Sequence, residues 1–195
     1  NFTVNDVTNP SVTNLIPTEN SVYNISNIIE IAANVTDTFG VSTVLANVSY
    51  PNGTINQLTL SNATTHDDKF NVSFTAPALI GTYNVTFIAN DSSNNFNTTE
   101  ITNFTVNDVN SLSISIVSCQ PNPANISQSV ECNSTVIDDI GVDTVNVSVT
   151  LPNGTIESPT VENIGSNYNF TFTTTSIPGQ YNLTWQANDS SNNIQ

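Results

Sequence analysis

Apolar and polar residues alternate along much of this chain. In the segment VNVSVTL (145–151) every second residue is apolar and the residues between them are Asn, Ser or Thr, and the segment YNLTWQA (181–187) shows the same alternation. A period of two places successive side chains on opposite faces of a β-strand. We therefore expect strands with one buried face and one solvated face, and no window of useful length shows helical spacing.

Tight turns punctuate these predicted strands. The segments YPNG (50–53) and LPNG (151–154) place Pro and Gly where a reversal of the chain needs a fixed φ followed by a positive φ. Six or seven short strands in roughly 100 residues, separated by such turns, are typical of an antiparallel β-sandwich. The expected fold class is all-β.

The sequence is duplicated at an offset near 101 residues. The segment VTDTFGVSTVLANVSYPNGTI (35–55) matches VIDDIGVDTVNVSVTLPNGTI (136–156), and YNVTFIANDSSNN (83–95) matches YNLTWQANDSSNN (181–193). This is a tandem repeat, and 195 residues have room for two ordinary domains. We predict a separate N-terminal strand (1–7), a first sandwich (8–109) and a second sandwich (110–195).

The charge composition excludes some functions. The net charge is -15, only 9% of residues are charged, and Lys69 is the sole Lys or Arg, so binding to nucleic acid is not expected. No stretch approaches the roughly 20 apolar residues of a membrane span. A surface of Asn, Ser and Thr is common on secreted proteins, so we expect an extracellular, cell-surface location. The absence of an initiator Met and of an apolar leader fits a removed secretory signal or a sequence that begins part-way.

Three motifs together carry a family resemblance. They are the Asp-x-x-Gly-Val segment at 37–41, the PNGT hairpin, and YNVTFIANDSSNN. They resemble the immunoglobulin-like or fibronectin type III-like modules of bacterial and archaeal surface proteins. The resemblance spans essentially the whole chain and implies two tandem Ig-like sandwiches, but motifs made of turns and core alternation specify function poorly. Unlike antibody domains, the chain has no Trp on the third strand and no cysteine pair bridging two sheets.

Asn-x-Ser/Thr triplets, the acceptors of N-linked glycans, are the most frequent chemical motif. Composition alone would give roughly eight or nine, about half of those present. Alternation explains part of the excess, because residues i and i+2 share a face, and it also points these side chains outward, where a glycan costs no packing. Besides the triplet at Asn1, we predict glycosylation at Asn24, Asn34, Asn47, Asn52, Asn62, Asn71, Asn84, Asn90, Asn97, Asn103, Asn125, Asn133, Asn146, Asn153, Asn169, Asn182 and Asn188.

Two cysteines, Cys119 and Cys132, occur only in the second repeat. Their spacing does not suit a zinc knuckle, and no His lies nearby. In an oxidising compartment they would pair, link the first strand region of this repeat to the second, and stabilise the fold by about 3 kcal/mol. The alternative is two buried free thiols, because Cys132 shares the inward parity of Val130 and Val136.

Acidic residues at predicted loop ends are candidate calcium ligands, since calcium prefers hard oxygen ligands. The alternative is that Asp and Asn in turns bond their own backbone. Other than N-linked glycans and this ion, no cofactor is expected. The candidates form two groups, Asp37, Asp91 and Asp108 at one junction, and Asp138, Asp139 and Asp189 with a following copy of Asp6.

Catalytic chemistry has little support in the sequence. His66 is the only histidine, and it has no counterpart in the other repeat. A catalytic triad or a metal site needs converging partners that the sequence does not provide, so we expect no enzyme and no catalytic residue. An internal Lys-Asn crosslink would need a buried lysine, whereas Lys69 shares the outward parity of Asn71.

The heptad NFTVNDV occurs twice, at 1–7 and at 103–109. In repeat 1 the second copy follows YNVTFIANDSSNN as its final strand, whereas repeat 2 shows no such strand after YNLTWQANDSSNN. We predict that Phe2 and Val4 of one subunit fill the resulting groove in the next, which builds an open head-to-tail filament of identical subunits. The predicted donor strand consists of Asn1, Phe2, Thr3, Val4, Asn5, Asp6 and Val7, and the acceptor strand presents Tyr181, Leu183, Trp185 and Ala187.

The sequence therefore favours a structural subunit of a glycosylated extracellular filament. This assembly resembles donor-strand complementation in chaperone-assembled pili and in archaeal surface threads. The alternative is a segment of a longer tandem-repeat surface protein, such as an adhesin stalk or S-layer spacer with loop-mediated ligand binding, in which the next strand follows Gln195. Aromatic residues fall mostly on inward positions, which favours a scaffold over a sugar-binding surface.

Overall fold

The computed structural model describes residues 1–62 and 68–195, apart from the side chain of residue 116. It divides into two compact units, Asn1–Asp108 (unit 1) and Val109–Gln195 (unit 2). The described residues form strands and contain no helix, and so none that could cross a membrane. The prediction of an all-β sandwich fold is confirmed.

Unit 1 is a sandwich whose two layers are joined by one strand, β5, which pairs with β4 in one layer and with β6 in the other. The hydrogen-bonded order is β1-β3-β6-β5-β4-β7-β9-β2, with β8 on β7. All pairs among its described residues are antiparallel except β2 with β9, which is parallel and which the sequence did not indicate. The strands are β1 (Ser11–Ile16), β2 (Ser21–Asn24), β3 (Ile28–Thr36), β4 (Val41–Ser49), β5 (Ile55–Asn62), β6 (Lys69–Thr75), β7 (Gly81–Asp91), β8 (Phe96–Asn97) and β9 (Ile101–Asn107).

Unit 2 has two separate sheets, in the orders β10-β11-β15-β14 and β13-β12-β16. Where unit 1 has the long β5, unit 2 has two short strands, β13 on β12 and β14 on β15, so the crossing between layers is interrupted. The strands are β10 (Ser113–Gln120), β11 (Ser129–Ile137), β12 (Val142–Thr150), β13 (Ile156–Glu157), β14 (Glu162–Ile164), β15 (Asn167–Thr173) and β16 (Asn182–Asp189).

A register shift and a hairpin turn recur at equivalent places in both units. The β4–β7 register shifts between Val41 and Thr43, and the β12–β16 register shifts at the equivalent place. Gly53 and Gly154 both have φ +84, and each donates its N–H to the carbonyl three residues earlier at 2.9 Å. The two PNG hairpins therefore fold as predicted, because only the positive φ that Gly tolerates closes this turn.

The core of each unit consists of the inward-facing apolar residues of its alternating strands. In unit 1, Tyr83, Phe87 and Phe104 are fully buried, and the rings of Tyr83 and Phe104 stack with centroids 5.1 Å apart. In unit 2, Val149 and Phe170 are buried within one cluster, and Leu183 and Trp185 pack against it only partly covered. The layer that holds β16 is thus the less closed side of unit 2.

Candidate functional site

In unit 1, strand β9 closes the core. It lies between β7, to which it is antiparallel, and β2, to which it is parallel. Phe104 and Val106 of β9 are 0% exposed. Burial, with a smaller effect of Tyr50, raises the pKa of Tyr83 to about 12, and its hydroxyl donates to the carbonyl of Leu79 at 2.7 Å. The slot that β9 occupies is therefore closed to solvent, with apolar side chains at its centre.

In unit 2 the corresponding slot is an open groove of about 430 Å³. One wall is the segment 177–183, which leads into β16, and the other is 121–126. Phe172 and the Cys119–Cys132 pair line it between these walls. Leu183 pairs with Val149 of β12 on one side, and no described residue pairs with it on the groove side. This edge of the sheet is free to accept a strand.

The second wall of the groove differs between the units. Unit 1 has six residues (18–23) between Pro17 and the Asn-Ile-Ser triplet at 24–26, and they include most of β2, whereas unit 2 has three (122–124) after Pro121. Residues 121–126 form no strand in unit 2. Pro121 and Pro123 also lack a backbone N–H, so they could not complete a ladder. Sequence reasoning missed this wall, although the three-residue deletion was a readable signal.

The N-terminal heptad is exposed and forms no strand. Phe2 is 91% exposed and Val4 83%, although their counterparts in β9 are fully buried. Asp6 marks the point where the segment joins unit 1, because its Oδ1 accepts the N–H of Thr8 at 3.0 Å and its carbonyl accepts Asn95 Nδ2 at 3.3 Å. Residues 1–5 thus present apolar side chains to solvent, next to an anchored Asp6.

The predicted acceptor strand is too long at its C-terminal end. The amides of Ala187 and Gln195 each donate to the other's carbonyl, at 3.1 and 3.0 Å, so Ala187 cannot pair with a further strand. The same pairing occurs in unit 1, where Ala89 lies opposite Asn97 of β8. Trp185 packs its ring against Phe170 at 5.6 Å. The free edge therefore lies toward the start of β16.

Three carboxylates of unit 1 lie together at one end of the sandwich. Oxygen atoms of Asp6, Asp37 and Asp91 lie within 4.8 Å of one another. The predicted grouping of Asp108 with Asp37 and Asp91 is wrong within unit 1, where Asp6 lies beside these two residues. Val106 pairs with Gly81 at the opposite end of β7, so Asp108 lies more than about 30 Å from Asp91 at about 3.3 Å of rise per residue.

These carboxylates also bond to their own turns. Asp91 Oδ1 accepts the amides of Ser93 and Asn95, both at 2.8 Å, and Asp37 Oδ1 accepts the amide of Phe39 at 2.8 Å. Burial alone raises the pKa of Asp91, but the hydrogen bonds from Asn95 and Ser93 outweigh it and hold that pKa below its ordinary value. The cluster has the oxygen ligands that calcium prefers, and its hydrogen bonds equally fit turn stabilisation.

The acidic candidates of unit 2 follow the same turn chemistry. Asp138 Oδ2 accepts the amides of Ile140 and Gly141, and Asp189 Oδ1 accepts those of Ser191 and Asn193. Asp139 Oδ2 accepts the side-chain amide of Asn110 at 2.8 Å. The repeated DSSNN segments therefore build the same loop in both units.

None of the triplet asparagines, all of which are among the described residues, is buried. Some have their side-chain nitrogen engaged within the fold, as Asn71 donates to Glu30 at 2.8 Å and Asn97 donates to the carbonyl of Pro10 at 3.0 Å. Exposed members are Asn1, Asn52, Asn62, Asn84, Asn125, Asn133, Asn146, Asn153 and Asn182, and half-buried members are Asn24, Asn34, Asn47, Asn71, Asn90, Asn97, Asn103, Asn169 and Asn188.

Cys119 and Cys132 form a disulfide with an S–S distance of 2.03 Å, so the predicted pairing is confirmed and the free-thiol alternative is wrong. They lie directly opposite each other in β10 and β11. The bond therefore joins neighbouring strands of one sheet. It does not bridge the two layers as in antibody domains.

Lys69, the only Lys or Arg, pairs with Glu30 at 2.8 Å, and both side chains are partly exposed. The hydrogen bond from Lys69, followed by that from Asn71, holds the pKa of Glu30 below its ordinary value. An exposed pair of this kind contributes little to stability. His66 lies outside the described residues.

No protein-family model and no curated protein matches the chain. Among solved structures, it is similar to fibronectin(III)-like modules of Clostridium thermocellum CbhA (18% identity, 94% of this chain and 88% of that chain, TM-score 0.39). It is also similar to a tetra-tandem repeat from the extending region of a large adhesion protein (20%, 95% and 46%, 0.48) and to the SrpA adhesin R347E mutant of Streptococcus sanguinis (17%, 80% and 94%, 0.40). Similarities this weak leave the function to be inferred from the chain's own residues.

Proposed function

We propose that this chain is a non-enzymatic structural segment of an extracellular surface protein built from tandem Ig-like sandwiches. The observation that carries the proposal is that the register shift between β4 and β7 and the PNG hairpin of unit 1 both recur in unit 2. A repeated scaffold with polar outer faces and apolar inner faces suits an array that extends from a surface. Only 9% of residues are charged, so the outward faces of the strands are polar mainly through Asn, Ser and Thr.

N-linked glycans would coat this scaffold. The proposal is supported by the exposure of the triplets on strand faces and hairpins, where a glycan can point into solvent. Because few side chains of this protein are charged, sugar hydroxyls would supply much of the surface polarity. Localisation at the cell surface is part of the same proposal.

Peptide mass mapping of the native protein tests it. We expect glycans at the exposed asparagines 52, 84, 146, 153 and 182, and bare side chains at Asn71 and Asn97, whose nitrogens bond within the fold. As a matched pair, Ser148→Ala should abolish the glycan at Asn146, whereas Ser148→Thr should retain it. Bare asparagines at most of the exposed triplets would contradict the proposal.

A second candidate function is the filament subunit. It is favoured by one specific observation, the coexistence of an open groove in unit 2 and an exposed copy of the strand that fills the equivalent slot in unit 1. In a longer tandem array, a strand of the same chain would fill this groove. In a filament, a second subunit would supply it.

A further inference from the structure

We propose that each unit carries a pair of triplet asparagines that face each other across neighbouring strands, and that only one asparagine of each pair receives a glycan. The pairs are Asn84 with Asn103 in unit 1 and Asn133 with Asn169 in unit 2. The inference rests on the proposed glycan coat and states which of these four triplets are modified. Asn84 and Asn133 carry glycans, and Asn103 and Asn169 stay bare.

The register of the strands sets the distance within each pair. Asn84 of β7 lies directly opposite Asn103 of β9, and Asn133 of β11 lies directly opposite Asn169 of β15. Directly opposed residues of antiparallel strands share one face of the sheet and have their Cβ atoms about 5 Å apart. The two asparagines of a pair therefore leave the sheet side by side.

The two triplets of a pair run along their strands in opposite directions. Thr86, the third residue of the Asn84 triplet, and Thr105, the third residue of the Asn103 triplet, lie on opposite sides of the Asn84–Asn103 row. The strand period of two puts each threonine on the same face as its own asparagine. Each asparagine is thus part of a complete triplet on that face, and the two triplets share only the space above the asparagine row.

A glycan is transferred when the asparagine Nδ2 bonds to C1 of a sugar that is activated as a phosphate ester. The C1–O bond to the phosphate breaks, the phosphate leaves with the bonding electrons, and Nδ2 loses one proton to a base of the transferase. The attached glycan is bulky. A separation of about 5 Å leaves no room for a second sugar and the transferase beside it. The first transfer within a pair therefore blocks the second.

The two asparagines of the unit 1 pair have different surroundings. Asn84 is exposed, whereas Asn103 is half-buried. Asn103 Oδ1 accepts the N–H of Asn20 at 3.2 Å, and its Nδ2 donates to Glu19 Oε1 at 3.5 Å. Because 3.5 Å is long for a hydrogen bond, this contact disfavours transfer to Asn103 without closing the site. The first glycan of the pair is therefore assigned to Asn84.

The unit 2 pair shows the same asymmetry, with Asn133 exposed and Asn169 half-buried. Ser118 Oγ donates to Asn133 Oδ1 at 2.9 Å, a bond that does not involve the nitrogen that receives the sugar. In the duplicated sequence the position of Asn133 corresponds to Ala32, which lies opposite Asn71 in unit 1. The two pairs thus occupy different places in the repeated module, and each supports the inference independently.

Peptide mass mapping of full-chain variants, produced in the cells that glycosylate the protein, tests the exclusion. The readout is the fraction of chains that carry a glycan at each asparagine. We expect this fraction to be high at Asn84 and low at Asn103 in the parent. Asn84→Gln removes the acceptor and keeps an amide side chain, so the glycosylated fraction at Asn103 should rise several-fold. Asn133→Gln should raise that fraction at Asn169 in the same way.

The matched control is Asn146→Gln, which removes an exposed triplet that lies opposite Gln186 and so has no second triplet across from it. It should leave the glycosylated fractions at Asn103 and Asn169 unchanged, which excludes a general gain of transferase at the remaining sites. The three substituted asparagines are exposed, so the variants keep their fold, and equal Tm values for the deglycosylated proteins check this.

The proposal is overturned if the glycosylated fractions at Asn84 and Asn103 add up to more than one glycan per chain. It is also overturned if Asn103 stays bare in Asn84→Gln, or if the parent carries its glycan at Asn103 and not at Asn84. Asn52 and Asn153 lie in hairpin turns outside these pairs and report on the coat separately. Glycans at these two sites would leave the proposed coat standing even if the exclusion fails.

Discussion

At the scale of single residues, Asp91 organises the loop that ends β7. It is 1% exposed, and Asn95 approaches it twice, through its amide at 2.8 Å and its side-chain nitrogen at 2.7 Å. Asp189 holds the same loop in unit 2 through Asn193 at 2.8 and 2.7 Å. A carboxylate that accepts several N–H bonds is stabilised in its charged form. The two DSSNN segments are therefore loops built around a buried carboxylate.

The lowered pKa of Asp91 predicts a pH-dependent contribution to stability. A depressed folded-state pKa means that this contribution is present above the ordinary value, about 3.9, and is lost as pH falls through the folded-state value. Asp91→Asn should therefore lower the Tm of unit 1 at pH 7, and the gap from the parent should narrow below about pH 4. Thermal unfolding across this pH range measures it.

The control is Asp68→Asn, an exposed carboxylate of the same unit, for which we expect little change in Tm. A gap between parent and Asp91→Asn that stays constant from pH 7 to about pH 3 would contradict the assignment. We also expect a chelator to leave the parent's Tm unchanged, since the turn hydrogen bonds are internal. A fall in Tm on chelation that is seen in the parent and is absent in Asp91→Asn would instead show an ion at Asp6, Asp37 and Asp91.

At the scale of elements, alternation predicted best the strands that pair with their neighbours in the sequence. The hairpins at 50–53 and 151–154 fix the neighbours of β4 and β12, and the duplicated sequence transfers this arrangement between units. The parallel pairing of β2 with β9 was not predictable in this way, because it joins segments about 80 residues apart through backbone atoms.

The position of Asp6 beside Asp37 and Asp91 was likewise not predictable from the sequence. Its neighbours Asp37 and Asp91 were recognisable as loop residues, but the end of β7 at which the N-terminal segment passes depends on the path of the chain in space. The groove of unit 2 was predictable from the repeat. In repeat 1 the heptad NFTVNDV follows YNVTFIANDSSNN, whereas no copy of it follows YNLTWQANDSSNN in the printed sequence. The wall of the groove at 121–126 was harder to predict. The three-residue deletion is visible in the sequence, but only the folded structure shows that it removes the strand equivalent to β2.

The disulfide between β10 and β11 is a covalent link between two strands that unit 1 lacks. Removing it by the double change Cys119→Ala/Cys132→Ala should destabilise unit 2 by about 3 kcal/mol, because the unfolded chain regains the freedom of a short loop. Trp185, the only tryptophan, reports on unit 2 in denaturant titrations followed by fluorescence. The midpoint of that transition should fall.

Unit 1 is the internal control for this change. Its unfolding, followed by amide exchange of β3 and β7, should be the same in the variant and the parent, since no cysteine lies in unit 1. An unchanged tryptophan midpoint would show that the bond adds nothing to unit 2. Equal loss of stability in unit 1 would show that the effect is not confined to the module that carries the disulfide.

At the scale of the whole molecule, two copies of one sandwich differ in how completely they are closed. Unit 1 has β9 in its slot, with Phe104 fully buried, whereas unit 2 has a groove with Tyr181 half-buried along it. A scaffold that leaves one core open at a free strand edge exposes both apolar surface and unpaired backbone groups. Completion of unit 2 by a strand is thus the central claim about how this molecule works.

Hydrogen–deuterium exchange of the native protein at assembling concentration tests that claim most directly. The edge at 81–84, which β9 covers, is the internal reference for a protected strand. We predict that amides in 179–183 of the native protein are as protected as this reference, because an added strand of the same chain or of a second subunit covers this edge. Fast exchange at 179–183 in the native protein, with 81–84 protected, would contradict the account.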